Sequence, residues 1–396
     1  MVPQRNKLVI VVAAFAVLAG TLFASASGAA VKSITATSFT RDFSAMKLLK
    51  PLVKKGKGKV EVILPDTVTS TRYTEFDAPY LTKAFKAAGL SSSQFKVQNA
   101  QGSDSTQLTD AQAAITSGAS VLVVDPLDSG VGAQIETYAK AHGVKVIDYD
   151  RLTLGGSRSY YVSFNNVNVG KLLGNGLVQC VAAWKKNNPS LSHPNVIVMR
   201  GDPTDNNATL FANGYESVLK PLFTAGKYTD VADPAGTWTP ATAATEFTQA
   251  FTANSKTNAV LMPNDENAAP VITYLQSQGV KPQTFPVTGQ DATLVGLQNI
   301  IAGYQCGTVY KPIYLEAQAA AALAIYARAN TAPPKALVNG TTADTTAKVS
   351  VKSVLEKPEW VTPANMQKTI VADGFVPAKQ ICTGTFAADC TKYKIH

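Results

Sequence analysis

The chain has 396 residues, 45% of them hydrophobic and 16% charged, with a formal net charge of +9. That length suits two domains of ordinary size once an N-terminal segment is set aside. Part of the basic excess sits in one short run, Lys54, Lys55, Lys57 and Lys59. No aromatic residue interleaves these lysines, which argues against nucleic-acid binding and for a solvated linker.

Residues 1–30 read as a secretory signal peptide. Arg5 and Lys7 precede an apolar run from Leu8 to Ala19, and Ala24-Ser25-Ala26 and Gly28-Ala29-Ala30 both fit the small-x-small cleavage pattern. The run from Leu8 to Ala24 is short for a spanning helix, and no other segment approaches that length. An exported protein, peripheral to any membrane, is therefore expected in the periplasm or the extracellular cell envelope. Thr21 follows Leu18-Ala19-Gly20 where a lipid-bearing cysteine would stand, so no diacylglycerol anchor is attached there. Residues 31–58 form an N-terminal extension without an assigned role.

From Lys59 onward, short β-branched runs alternate with helix-length segments. The pattern predicts strands over Val60–Leu64, Phe95–Gln98, Val121–Val124 and Val144–Asp148. Between them it predicts helices over Ala78–Ala88, Thr106–Thr116 and Val131–Ala141, the first two closed by Gly89 and Gly118. The rhythm restarts after Tyr160–Phe164. It predicts helices over Val167–Trp184, Ala208–Lys220, Ala243–Thr252, Ala268–Gln278 and Ala292–Ala302. Strands are expected over Val196–Met199, Ala259–Met262, Pro286–Thr288 and Gly307–Tyr310. An Ala-rich helix from Pro312 to Ala329, a strand-like piece from Lys348 to Leu355 and a short helix near Met366 complete the series. Two βα series of similar size predict an α/β fold of two doubly wound parallel-sheet lobes.

The four cysteines, Cys180, Cys306, Cys382 and Cys390, allow three pairings in an oxidising compartment. Cys382 and Cys390 lie close together with Gly384 between them and are the preferred pair. Their spacing matches no zinc finger, and only His142, His193 and His396 could assist, so neither a metal nor a cofactor is expected.

Several polar strings stand where a predicted strand gives way to a helix: Tyr149-Asp150-Arg151, Asp205-Asn206-Asn207, Asn264-Asp265-Glu266 and Gly289-Gln290-Asp291. In parallel α/β sheets such strand ends form the ligand crevice. Carboxylates, amides and a guanidinium together suit a polyhydroxylated neutral molecule, gripped by paired hydrogen bonds. Asp150 and Arg151 offer an acceptor and a forked donor side by side. Asn206 and Asn207 suit either hydroxyl binding or capping of the helix that follows. Asn264 and Asp291 should face each other across one crevice. Asp125 and Asp128 follow the third strand and are weaker candidates. Asp148 and Asp150 have the spacing of an acid/base pair, but no activated nucleophile or metal cluster accompanies them, so the chain is not expected to be an enzyme.

Together with Lys145–Asp148, Ser163-Phe164-Asn165-Asn166, Val169-Gly170, Leu210-Phe211 and Thr308–Pro312, these strings resemble the type I periplasmic sugar-binding proteins of ABC importers, and most of all the xylose-binding proteins. The resemblance runs from about Lys59 to about Phe375. It implies three crossing segments between the lobes, near Phe164-Asn165, near Tyr310-Lys311 and between Thr341 and Val349. The sugar-binding lobes would then be residues 59–164 with 311–345, and 165–310 with 346–375, leaving 376–396 as a cysteine-containing tail. It further implies that Arg72 and Tyr73 form the first sugar-contacting loop, that Trp238 packs on the sugar ring, and that Lys311 reaches the ligand from a crossing segment. The implied function is capture of a monosaccharide, D-xylose first, by a monomer that delivers it to an ABC permease. A sugar-sensing receptor subunit would have the same pocket, whereas a sugar-responsive repressor would need an N-terminal helix-turn-helix where this chain has an export signal.

Overall fold

The computed structural model describes Met1, Val2 and residues 33–396. Apart from Met1 and Val2, the expected signal peptide therefore lies outside the described residues. Residues 34–396 form one compact unit.

After α1 (Lys50–Lys55), the first lobe is laid down by β1 (Lys59–Leu64), α2 (Ala78–Ala88), β2 (Phe95–Asn99), α3 (Asp104–Thr116), β3 (Ala119–Val124), α4 (Ser129–Ala141), β4 (Lys145–Tyr149) and β5 (Tyr160–Phe164). These strands pair in parallel, in register Val60 with Phe95, Val62 with Val123 and Val123 with Ile147. Val121–Val124 is buried throughout, as a continuous β-branched run must be when helices cover both faces of its sheet. The helices start where a polar side chain accepts from a free backbone N–H: Ser103 from Thr106 for α3 and Asp128 from Val131 for α4. That capping duty accounts for Asp128, one of the weaker candidates.

The second lobe contains α5 (Asn166–Trp184), β6 (Asn195–Val198), α6 (Asn206–Thr224), β7 (Thr229–Ala232), α7 (Pro240–Ala253), β8 (Ala259–Leu261), α8 (Asp265–Ser277), α9 (Leu294–Ile301) and β9 (Thr308–Tyr310). Its parallel strands run in the order β7-β6-β8. Single bridges, Val260 to Val287 and Gln290 to Val309, carry the layer on towards β9. The strand expected over Pro286–Thr288 is thus reduced to isolated bridges. Strand β7 was not foreseen, because its residues are half-buried or exposed and show no apolar run. Helices α5 and α6 cross closely through two glycines. A Cβ on Gly170 would lie 1.9 Å from the Phe211 carbonyl oxygen, and one on Gly214 would lie 2.2 Å from that of Val167.

The chain returns to the first lobe through α10 (Ile313–Arg328), whose alanines are buried in its core beside α2. It then forms the hairpin β10 (Gly340–Asp344) and β11 (Val349–Glu356), and β11 pairs in parallel with β5. The first sheet therefore has seven strands in the order β10-β11-β5-β4-β3-β1-β2. This corrects the expected third crossing. The chain leaves the first lobe after Glu356, not between Thr341 and Val349, and β12 (Glu359–Val361) then pairs antiparallel with β9. Val349–Glu356 accordingly belongs to the first sheet, and the turn before it to the first lobe.

The N-terminal extension is built into the fold. Ile34, Phe39, Phe43, Met46, Leu49 and Val53 are buried in the same core as α2 and α10, while Lys54, Lys55 and Lys57 stay exposed. The tail closes with α11 (Ala378–Ile381) and α12 (Ala387–Tyr393), joined by a Cys382–Cys390 disulfide. A second disulfide, Cys180–Cys306, ties α5 to the segment before β9. No helix among the described residues is long and apolar enough to cross a membrane.

Candidate binding site

The C-terminal ends of the strands of both sheets meet across a cleft. There the backbone turns sharply: Asp150 after β4 and Asp291 before α9 adopt φ of 56° and 88°. The left-handed region is uncommon outside glycine but tolerated by Asp. It lets Asp150 leave the strand's alternation and turn into the cleft, as adjacent strand residues otherwise could not.

A small cavity of about 30 Å³ occupies this cleft. Arg72, Tyr73, Asp150, Arg151, Asn207, Trp238, Asn264, Asp291 and Lys311 line it. Asn206 does not, because α6 begins two residues earlier than expected. Asp205 accepts from the Asn207 N–H as its cap, so both asparagines lie in the first turn and point different ways. Neither caps the helix. Asp125 also stays out of the lining; it is buried behind Arg151, 3.7 Å from its Nε. Burial first, and then the charge of Asp150, push the Asp125 carboxyl well above the usual range.

On the first lobe, Arg72 is wholly engaged by carboxylates. Its Nε and Nη2 donate to Asp77 at 2.9 and 2.8 Å, Nη1 to Asp150 at 2.8 Å, and Nη2 also to Glu316 at 2.7 Å. Burial alone would raise the Asp150 carboxyl, but Arg72, Lys311 and Arg151 outweigh it and hold the group below its ordinary value. Asp150 is therefore a fixed anionic acceptor. Arg151 donates from Nη2 to the Tyr73 hydroxyl at 3.0 Å and from Nη1 to the Leu127 carbonyl at 3.2 Å, while its Nε lies 3.4 Å from Asp205 on the opposite lobe.

The second lobe supplies the facing wall. The Trp238 indole N–H donates to Asp205 Oδ2 at 3.0 Å, and the ring stands edge-on to Phe211. Trp238 can seat there because residue 201 is glycine: a Cβ would come within 2.3 Å of the indole. Asn264 caps α8, its Oδ1 accepting from the Asn267 N–H. The side-chain amide N–H groups thus remain for the cavity, and Asn264 acts there chiefly as a donor. Asp291 pairs with Lys311 at 2.8 Å. Asn207 donates to the Asp150 carbonyl and accepts from Tyr161, so this amide also spans the two lobes.

Thr69, Ser70, Asp205, Phe211 and Gln290 line the cavity as well but were not singled out from the sequence. Asp205 and Gln290 lie inside recognised strings, yet an Asp before a helix reads first as a cap and a Gln between two strand ends has no distinctive signature. Phe211 lies one turn into α6, where an aromatic residue reads as core. Asp148 takes no part; it accepts from the Thr153 N–H inside the first lobe. Among the described residues no cluster of His, Cys, Asp or Glu is arranged to hold a metal.

Two doubly wound lobes, three crossings and a polar cavity with an aromatic wall between the strand ends define a two-lobed solute-binding protein. The chain belongs to the periplasmic binding protein family, whose periplasmic binding protein domain model matches residues 60–331. It is 37% identical to a D-xylose-binding periplasmic protein of Escherichia coli (strain K12) over 73% of this chain and 83% of the relative. A multiple sugar-binding periplasmic receptor of Rhizobium radiobacter is 30% identical over 89% of this chain and the relative's full length, 100%. A carbohydrate transporter solute-binding protein from Chloroflexus aurantiacus, solved with D-glucose, superposes with a TM-score of 0.71 at 26% identity, covering 81% of this chain and 97% of that one. The family consists of solute-binding proteins, so this chain is a binding protein and not an enzyme.

Proposed function

We propose that the protein captures a monosaccharide, D-xylose first, between its lobes and delivers it to an ABC-type importer. The observation that carries this reading is the convergence of charged and amide side chains from both lobes on one cleft. Asp150 and Asp291 would accept from sugar hydroxyls, while Arg151, Asn207, Asn264 and Lys311 would donate to sugar oxygens. Trp238 would cover a C–H face of the ring. A ligand held from both sides favours the closed state through its contacts with the second lobe, and the closed monomer would dock on a permease at the outer face of the membrane. The likeness to a D-xylose-binding protein supports that sugar ahead of other aldoses, and the periplasmic relatives support an exported location.

A thermal-shift panel of monosaccharides tests the reading. One or two aldoses raise the melting temperature, and Asp150→Ala or Asn264→Ala abolishes the rise. An unchanged rise in both variants would move the site elsewhere. The full-length match to a sugar-binding receptor supports a second reading, in which the bound form is presented to a membrane sensor. Reconstitution separates the two: sugar-dependent stimulation of a permease ATPase favours import, and stimulation of a sensor favours signalling.

A further inference from the structure

One contact between the lobes lies beside the cavity and is not explained by sugar binding. Glu266, in the first turn of α8, reaches across to the loop after β1. Its Oε1 accepts from the Ser70 hydroxyl at 3.0 Å, the Thr71 N–H at 3.0 Å and the Thr71 hydroxyl at 3.3 Å. Its Oε2 has no hydrogen-bond partner among the described residues, and the side chain is buried.

Among the described residues no cation pairs with this carboxyl. On its own helix it adjoins Asp265, which is tied inside the second lobe to the Thr293 N–H, Gln305 and Thr308. From the segment before α9 it faces Asp291, whose charge is taken up by Lys311. From the first lobe it meets only the uncharged donors of Ser70 and Thr71, because Arg72 is committed to Asp77, Asp150 and Glu316. Burial first, and then Asp291, push the Glu266 carboxyl up to about 7, against the downward pull of the Thr71 N–H.

We infer that Glu266 is a proton-linked clasp between the lobes, taking up a proton as the cleft shuts, so that closure is favoured as the pH falls. The inference rests on the hinge-closing reading above. In an opened cleft Ser70 and Thr71 withdraw, water reaches the carboxylate, and its affinity for a proton drops towards that of an ordinary Glu. The closed form therefore binds more protons between that range and neutrality, and linkage makes closure easier with acidification. Glu316 and Asp265 are not coupled in this way, because their partners lie within one lobe, and the cross-lobe carboxyls Asp205 and Asp291 each face a cation, Arg151 and Lys311. The same linkage makes the affinity for a bound monosaccharide rise roughly tenfold from pH 8 to pH 6.

The test places nitroxide labels on Val68→Cys and Leu294→Cys, exposed positions on the two sides of the clasp, and measures their separation by pulsed electron resonance from pH 8 to pH 5. Without sugar, the short-distance population is expected to grow several-fold as the pH falls. Glu266→Gln, which keeps an acceptor for Ser70 and Thr71 but cannot ionise, should remove the pH response. Distances independent of pH, or the same response in Glu266→Gln, would overturn the clasp. A parallel titration with D-xylose reads the carbohydrate proposal separately: failure of xylose and other aldoses to shorten the distance sinks that reading and leaves the pH result standing.

Discussion

Arg72 lies buried among Asp77, Asp150 and Glu316, with ion-pair distances of 2.8, 2.8 and 2.7 Å. Such a centre is weak evidence for stability when complete, but removing Arg72 leaves Asp77 and Glu316 without their ion-pair partner and Asp150 with only Lys311 and Arg151 nearby. Arg72→Met should cost about 3–5 kcal/mol in urea unfolding, and the Asp150 carboxyl should rise, weakening ligand binding with it. Glu316→Gln in the Arg72→Met background should recover part of the loss. A variant as stable as the parent would show that these charges are neutralised by protons instead. Asp150 and Arg151 were legible in the sequence because a carboxylate and a guanidinium stand together just past an apolar strand. Arg72's three partners were not, since Asp77 and Glu316 come from helical segments and are brought together only by the fold. Asn206 stands outside the lining because neighbouring residues in a helical turn face about 100° apart, given 3.6 residues per turn, and the pattern did not reveal that Asp205 already held the cap.

At the scale of elements, the two disulfides constrain very different stretches of chain. Cys180–Cys306 spans a sequence separation of 126, Cys382–Cys390 one of 8. Loop entropy alone puts their contributions near about 5 and about 2.5 kcal/mol. Serine variants of each pair, compared by denaturant midpoint, should therefore rank in that order, and a larger loss from the tail pair would show that strain or packing dominates. The tail pairing was legible from its spacing; the long-range bridge joins residues that only the folded second lobe brings near. Strand β11 was expected but assigned to the wrong lobe. Residues 348–355 look like any isolated strand, and nothing local records that their partner is β5. The end of β11 also carries a titratable group: burial pushes the Glu356 carboxyl up to about 7. The folded state then holds a proton that the unfolded chain has released, so stability falls as the pH rises from the usual Glu range through neutrality. Glu356→Gln should add about 1–3 kcal/mol at pH 8 and flatten the dependence of the melting temperature between pH 5 and pH 8. An unchanged profile would assign the loss to other groups.

Across the whole molecule, the alternation of β-branched runs and helices was enough to read two parallel-sheet lobes, because both faces of each sheet are covered and its central strands are apolar. The periodicity could not show that the segment before β1 belongs to the first lobe's interior. Its apolar residues, Phe39, Phe43, Met46 and Leu49, are spread through short turns of 3-10 helix without a regular period. Arg41 also donates to the Gly374 carbonyl at 2.6 Å, linking this segment to the other end of the fold. The family match begins at residue 60, so a shortened version cut there would remove the plug formed by residues 34–53 as well as the expected leader. Such a protein should bind hydrophobic dyes and aggregate, whereas one starting at residue 33 should stay monodisperse. Where the molecule is trimmed for secretion, labelling or display thus decides whether its first lobe keeps a sealed interior.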